Sequence, residues 1–171
     1  QRIPTTDRAA VGLMLRMEEA IDVLVPRGGR GLIERIRAEA RMPVFSHLDG
    51  LCHTYVDAAA DLEQAQAVVV NAKMRRTGMC GATETLWVHQ DVAEALLPQL
   101  GAALSARGCE LRADARALAL LDGAQAAHET DWDTEYLDAI LSIKVVDSTQ
   151  EAIDHINAHG SHHTEAVLSQ D

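Results

Sequence analysis

The sequence predicts an α/β fold with a mostly parallel sheet and helices on both faces. Short apolar segments typical of buried strands alternate with segments of helical periodicity along the chain, and parallel sheets are built from such strand–helix–strand units. Hydrophobic residues make up 47% of the 171 residues, so the chain can bury one good-sized core and is not expected to be disordered. The sequence shows no internal repeat and no low-complexity linker.

The predicted strands are short apolar runs bounded by polar or glycine-containing turns. Ile21–Val25 comes first, and its β-branched and aliphatic residues are typical of a strand buried on both faces of a parallel sheet. In chain order, the predicted strands are Ile21–Val25, Met42–Ser46, His53–Asp57, Glu84–His89, Gly108–Arg112, Ala139–Val146 and Ala166–Ser169.

The predicted helices carry apolar residues at helical spacing and begin at capping residues. Asp91–Arg107 shows this best, because Val92, Leu96, Leu100 and Leu104 lie on one face. The expected caps are Thr6 or Asp7, then Asp61, and then residues 147–150. The predicted helices lie within residues 1–20, at Leu32–Ala40, from Ala58 to Ala72, at Asp91–Arg107, at Asp114–Leu121 and from residue 147 to Ala158.

Net charge, the length of apolar runs and the cysteine content argue against several classes of function. Fifteen Lys and Arg against 26 Asp and Glu give a net charge of −11, which disfavours a nucleic-acid or anionic-membrane partner. No apolar run approaches the length of a bilayer span, and we expect no signal peptide. Cys52, Cys80 and Cys109 are odd in number and lack metal-type spacing, so we expect reduced thiols in a cytoplasmic protein.

The turn Pro26–Gly31 connects a predicted strand to a predicted helix. Backbone amides and the helix dipole favour an anion at such a helix N-terminus, and Arg27 and Arg30 add positive charge. Gly28 and Gly29 allow the backbone to approach a ligand closely. Because the turn lacks a full G-x-G-x-x-G pattern, an ordinary strand-to-helix loop is the alternative to a phosphate site.

Cys80 lies in a glycine-containing turn between a predicted helix and a predicted strand. A nucleophilic thiol needs nearby cations that favour the thiolate and a loop from which the sulfur can reach a substrate. The upstream cations are Lys73, Arg75 and Arg76, and the flanking glycines are Gly78 and Gly81. Cys80 is therefore the candidate nucleophile, and a buried structural cysteine is the alternative. Cys52 precedes a predicted strand and Cys109 lies within one, so both are expected to be packed thiols.

Residues 71–89 follow the pattern N-A-K-x-x-R-x-G-x-C-x-A-x-E-T-L-x-V-H. This pattern resembles the cysteine segment of gamma-glutamyl phosphate reductases, also called glutamate-5-semialdehyde dehydrogenases, in the aldehyde dehydrogenase superfamily. Thr77 stands where the family often has Pro, and Gly81 where it often has Asn, and neither departure removes the nucleophile. Segments 4–8, 22–29, 47–53, 132–137 and 160–166 resemble the same family in the same order.

The resemblance implies NADPH-dependent reduction of L-glutamyl 5-phosphate to glutamate 5-semialdehyde and phosphate, in proline biosynthesis. Cys80 would attack the acyl phosphate and form a thioacyl enzyme. The family's proteins are far longer, and the first residue here is Gln. We therefore expect a fragment in which residues 1–40 end a cofactor-binding domain and residues 41–171 form the catalytic domain, truncated at its C-terminus. Homo-oligomerisation is left open, because the family's oligomer contacts involve the absent tail.

The resemblance also implies roles for individual residues. His47 stands where hydrolytic aldehyde dehydrogenases carry the water-activating Glu of an E-L-G-G segment. It fits an acid/base or orienting role, with a hydrogen-bonded histidine at a strand end as the alternative. Glu135 matches the superfamily's ribose-binding Glu, with a helix-start Glu as the alternative. The turn containing Arg27, Gly28 and Gly29 would face the dinucleotide. Substrate contacts are expected from Asp49, Ser161 and His163.

Two alternatives remain beside this hypothesis. The first is a catalytically inactive folded fragment of the reductase. The second is a cysteine hydrolase pairing Cys80 with a histidine, and the lack of a clear Cys-His-Asn order weakens it. The histidines at 159, 162 and 163 also suggest a metal site, but no recognised ligand spacing accompanies them, so none is expected.

Overall fold

The computed structural model describes residues 2–46 and 49–171. The chain divides into two units, residues 1–48 and residues 49–171. The predicted division after residue 40 assigns a cofactor role to the first part and a catalytic role to the second. Packing does not test those roles, so the domain assignment stays a prediction.

The first unit contains two helices and one strand-like contact. Helix α1 spans Ala9–Met14, where Asp7 Oδ1 accepts a hydrogen bond from the Ala9 amide at 2.9 Å. Helix α2 spans Arg30–Glu39 and begins after Gly29, whose backbone is extended. The predicted strands at 21–25 and 42–46 are present among the described residues only as an isolated parallel bridge between Leu24 and Val44.

The second unit is built on a six-stranded sheet in which every pairing is parallel. The order of the strands across the sheet is β4-β3-β5-β2-β1-β6. The predicted parallel α/β architecture is confirmed, and the two-residue strand β4 is an addition to it. The strands are β1 Cys52–Val56, β2 Thr83–His89, β3 Glu110–Ala113, β4 Gln125–Ala126, β5 Ile140–Val146 and β6 Glu165–Leu168.

Helices connect these strands, and several begin where the sequence predicts. Asp61 caps the helix after β1 by accepting from the Gln64 amide at 2.9 Å, and Ser148 caps the last helix by accepting from the Glu151 amide at 3.2 Å. A 3-10 helix at Glu129–Asp133 was not predicted. The helices of this unit are α3 Leu62–Met74, α4 Gln90–Ser105, α5 Ala115–Leu118 and α6 Thr149–His159.

The core covers both faces of the central strand β2. Its alternate residues Leu86 and Val88 belong to the larger apolar cluster, which also contains core residues of α3 and α4. Trp87 points the other way, into a smaller cluster with Tyr55 and Trp132. Since successive side chains of a strand face opposite sides of the sheet, β2 is buried from both directions. This double burial is consistent with the three consecutive apolar residues Leu86, Trp87 and Val88 in its sequence.

Candidate active site

The loop between α3 and β2 presents Cys80. Two backbone hydrogen bonds shape the turn, from the Met79 amide to the Arg76 carbonyl at 3.2 Å and from the Ala82 amide to the Met79 carbonyl at 2.9 Å. Cys80 is partly exposed, whereas Cys52 and Cys109 are only 2% and 6% exposed. Of the three thiols, Cys80 is therefore the one that a substrate can reach most easily.

Gly50 and Cys52 contact the backbone of Cys80. A Cβ atom at position 50 would lie 2.0 Å from the Cys80 carbonyl oxygen, so only glycine fits there. The Cys52 thiol donates a hydrogen bond to the same oxygen, with an Sγ–O distance of 3.1 Å. Burial raises the pKa of Cys52 to about 11, so its sulfur carries the proton that this bond requires near neutral pH.

Three further predicted residues contact the segment from Gly50 to Cys52. Glu135 Oε1 accepts a hydrogen bond from the Gly50 amide at 2.9 Å, and Ser161 Oγ accepts one from the Leu51 amide at 2.9 Å. His163 Nδ1 lies 3.7 Å from Cys52 Sγ and 2.9 Å from Thr164 Oγ1. The structure thus gathers Cys80, Glu135, Ser161 and His163 around one short segment.

Of the remaining predicted residues, one adjoins this segment in sequence and the others do not. Asp49 directly precedes Gly50 and is partly buried. Arg27, Gly28 and Gly29 belong to the first unit, where Gly29 is the N-cap of α2. His47 lies outside the described residues, so its predicted acid/base role stays a prediction.

The three basic residues upstream of Cys80, which the sequence suggested would all favour the thiolate, differ in burial and pairing. Lys73 is fully buried, and its Nζ lies 2.6 Å from Glu84 Oε2, so a carboxylate already offsets its charge. Burial raises the pKa of Glu84, and the contact with Lys73 opposes that rise. Arg75 and Arg76 are exposed. They line a cavity of about 410 Å³ together with Asn71, Ala72, Met79, Gly81 and Ala82.

Sequence reasoning missed the contribution of β1 to the site. Gly50 and Cys52 contact a residue about 30 positions away, and no local pattern announces such a contact. His53 was missed as well. It is 1% exposed, and its Nδ1 lies 2.9 Å from Glu165 Oε2. The segment Gly50-Leu51-Cys52-His53, which leads into β1, was the available signal.

One of the histidines considered for a metal site contacts a carboxylate. His159 Nδ1 lies 2.7 Å from Asp133 Oδ1. Within residues 2–46 and 49–171, no group of three His, Cys, Asp or Glu side chains is arranged to hold a metal ion. In the same part of the chain, no helix combines the length and the apolar character that crossing a membrane requires.

The fold is that of the aldehyde dehydrogenases. The chain superposes on the NADP-dependent glyceraldehyde-3-phosphate dehydrogenase of Bacillus halodurans, solved in complex with NADP, with a TM-score of 0.73 at 18% identity, over 98% of this chain and 44% of that one. It also superposes on an acetylating aldehyde dehydrogenase of Geobacillus thermoglucosidasius with a TM-score of 0.69 at 16% identity, over 96% of this chain and 45% of that one. These similarities concern the fold alone.

A closer similarity is found with gamma-glutamyl phosphate reductases. The crystal structure of the Thermotoga maritima enzyme matches 99% of this chain and 41% of its own, with a TM-score of 0.94 and 41% identity. Over all 171 residues the chain is 58% identical to the enzyme of Paramagnetospirillum magneticum, and over 172 aligned residues it is 55% identical to that of Brucella suis. No protein-family profile matches the chain. The resemblance to gamma-glutamyl phosphate reductases seen in the motifs is thereby confirmed along the whole chain.

The matches cover a much larger fraction of this chain than of its relatives. The chain is covered completely, but it spans only about 40% of the length of the curated relatives it matches. The activity, substrate and cofactor of the whole protein are therefore matters for proposal.

Proposed function

We propose that this chain forms the cysteine-bearing part of an NADPH-dependent reductase that converts L-glutamyl 5-phosphate to L-glutamate 5-semialdehyde and phosphate, in cytoplasmic proline biosynthesis. The observation that carries the proposal is the placement of Cys80. It lies partly exposed on a loop whose backbone is held by Gly50 and Cys52. The similarity over the whole chain to proteins named for this reaction supports the choice of substrate.

Cys80 supplies the nucleophile in the proposed reaction. Its thiolate attacks the acyl carbon and a C–S bond forms. The bond between the acyl carbon and the phosphate oxygen then breaks, and inorganic phosphate leaves with the bonding electrons. An acyl phosphate is already activated, so the main requirement is stabilisation of the oxyanion that forms on the carbonyl oxygen. Among the described residues, no acceptor takes a hydrogen bond from the Cys80 amide. That amide can therefore serve as an oxyanion donor.

The residues proposed to hold the cofactor fit a dinucleotide in two respects. A Cβ atom built on Gly29 or Gly31 meets no atom within 4 Å, so the N-terminus of the ten-residue helix α2 is open to an anion such as a pyrophosphate. Glu135 is partly exposed and uses Oε1 for the Gly50 amide, and a carboxylate can also accept from ribose hydroxyls. NADPH, when bound, would supply the hydride that reduces the thioester.

Substrate contacts are proposed for Asp49, Ser161 and His163. Ser161 and His163 reach the segment that carries Gly50 and Cys52, and Asp49 is its neighbour in sequence. Polar side chains at this place can orient the amino and carboxylate groups of the glutamyl moiety. The reaction would then be restricted to acyl phosphates whose polar groups can form these contacts.

An NADPH-oxidation assay with L-glutamyl 5-phosphate tests the proposal in the native gene product. We expect phosphate release and NADPH oxidation in equal amounts, and loss of both in Cys80→Ala. Cys109→Ala is the matched control, because Cys109 is a buried thiol that directly precedes β3. Activity that survives in Cys80→Ala, or an unmodified protein that oxidises no NADPH with this substrate, would contradict the proposal.

A further inference from the structure

The peptide that follows Cys80 is held on two sides by the segment preceding and starting β1. On one side, the Cα atom of Gly50 is packed so closely that a Cβ there would lie 2.8 Å from the Cys80 carbonyl carbon and 2.9 Å from its Cα. On the other side, the thiol of Cys52 donates to the carbonyl oxygen at 3.1 Å. The Gly50 amide is itself fixed by Glu135 Oε1 at 2.9 Å.

We propose that Cys52 is a positioning residue, whose thiol holds the Cys80 carbonyl so that the Cys80 amide and sulfur stay aligned on the same acyl group. The proposal rests on the proposed acylation of Cys80. It assigns to a second, buried cysteine a part in the reaction that is separate from nucleophilic attack.

The physical argument concerns the two peptide planes that meet at the Cys80 Cα atom. Each peptide is planar, so the only soft rotations at this residue are its φ and ψ angles. The contacts of Gly50 and Cys52 fix the plane on the carbonyl side. The turn bond from the Ala82 amide to the Met79 carbonyl, at 2.9 Å, spans the residue and restrains the plane on the amide side. With both peptide planes held, the direction of the Cys80 N–H bond and the direction of the Cα–Cβ bond are both fixed.

Cys52 is suited to this task by its surroundings. It is 2% exposed, so water does not compete for the hydrogen bond. Burial raises its pKa to about 11, which keeps the proton on sulfur where a donor is needed. His163 Nδ1 is a second neighbour at 3.7 Å, but the carbonyl oxygen is nearer and can act only as an acceptor.

Two reagents distinguish alignment from simple reactivity in the 171-residue chain. Acylation of Cys80 by p-nitrophenyl acetate passes through an oxyanion, which the Cys80 amide stabilises. Alkylation by iodoacetamide occurs at a saturated carbon and forms no oxyanion, so it reports only the thiolate and its exposure. Both rates are measured at Cys80 by peptide mapping, in Cys52→Ala, in Cys52→Ser and in the control Cys109→Ala.

We expect Cys52→Ala to lower the ratio of acylation to alkylation about fivefold, the typical effect of one lost hydrogen bond. Cys52→Ser retains a donor on a shorter bond and should recover part of the ratio, while Cys109→Ala should leave it unchanged. An unchanged ratio in Cys52→Ala overturns the inference, including one that results from an equal fall in both rates. An equal loss in the alanine and serine variants overturns it as well. Failure of the unmodified chain to acylate at Cys80 overturns the proposed nucleophile together with this inference.

Discussion

Three cysteines with different surroundings show how position determines the chemistry of one side chain. Cys80 lies partly exposed in a loop, whereas Cys52 is buried as the first residue of β1 and Cys109 is buried directly before β3. Burial raises the pKa of each of these two thiols to about 11. Because the thiolate is the reactive species, both buried cysteines are protonated and unreactive at neutral pH.

We expect Cys80 to be alkylated first when the folded chain is treated with iodoacetamide. At pH 8 its labelling should exceed that of Cys52 and Cys109 by at least about tenfold, because the two buried thiols ionise only as the pH approaches 11. Timed quenching followed by peptide mapping gives the three rates. A chain unfolded in urea is the control, in which the three rates should converge. Faster labelling of Cys52 or Cys109 in the folded chain would show that the assignment of Cys80 is wrong.

A methyl group at position 50 should disturb Cys80, whereas one at position 81 should not. In Gly50→Ala the new Cβ would lie 2.0 Å from the Cys80 carbonyl oxygen, and such overpacking costs about 1–3 kcal/mol. In Gly81→Ala the new Cβ meets no atom within 4 Å. Urea denaturation and the alkylation rate of Cys80 compare the two variants. Equal stability and equal labelling of both would contradict the close packing of Gly50 on the cysteine loop.

At the scale of secondary-structure elements, one buried ion pair joins the helix before Cys80 to the strand after it. Lys73 in the last turn of α3 and Glu84 in β2 meet at 2.6 Å with both side chains fully buried. The other oxygen of Glu84 accepts from the Leu137 amide at 3.2 Å. The pair therefore holds both ends of the cysteine loop and the segment that carries Glu135.

Removing one charge of this pair should destabilise the fold much more than removing an exposed partner. Glu84→Gln leaves the Lys73 ammonium buried without a counter-charge, and the expected cost is about 3–5 kcal/mol. Asp147→Asn removes the partner of Arg116 from a pair whose side chains are 42% and 65% exposed, and should cost less than about 1 kcal/mol. Urea unfolding followed by circular dichroism measures both. Similar losses in the two variants would refute the structural role of the buried pair.

At the scale of the whole molecule, the candidate site lies at an unusual edge of the sheet. Ligands of open parallel α/β sheets usually bind outside the carboxyl ends of the strands. Here Cys52 and Thr83 are the first residues of β1 and β2 and pair with each other, while Glu165 is the first residue of β6. The cysteine loop therefore lies at the amino ends, where α3 returns the chain to the start of β2.

We expect the 171-residue chain alone to bind NADPH weakly and to show no steady turnover. The residues proposed to hold the cofactor in this chain are Arg27, Gly28, Gly29 and Glu135, and positioning of a bound reactant contributes on the order of 7–11 kcal/mol to such reactions. Titration of NADPH fluorescence should give no saturation in the micromolar range, with the full-length Thermotoga maritima relative as the comparison. Micromolar binding or steady NADPH oxidation by the 171-residue chain would contradict this expectation.

The sequence by itself determined the alternation of strands and helices in the second unit. The periodicity of apolar residues and the caps at Asp61 and Ser148 are local signals, so they can be recognised without knowledge of the fold. The first unit was less predictable. Its two apolar runs form only the Leu24–Val44 bridge among the described residues, because strand formation depends on pairing partners that no local pattern specifies.

The motif around Cys80 likewise identified the candidate nucleophile and the family without a structure. What only the tertiary structure decided is how that cysteine is held. Its carbonyl contacts Gly50 and Cys52, and Glu135 reaches Gly50 from 85 positions away. The structure also showed that Lys73 is paired with Glu84 and is not a cation free to act on the thiol. Contacts of this kind arise from the packing of distant segments, and burial then sets which groups carry charge.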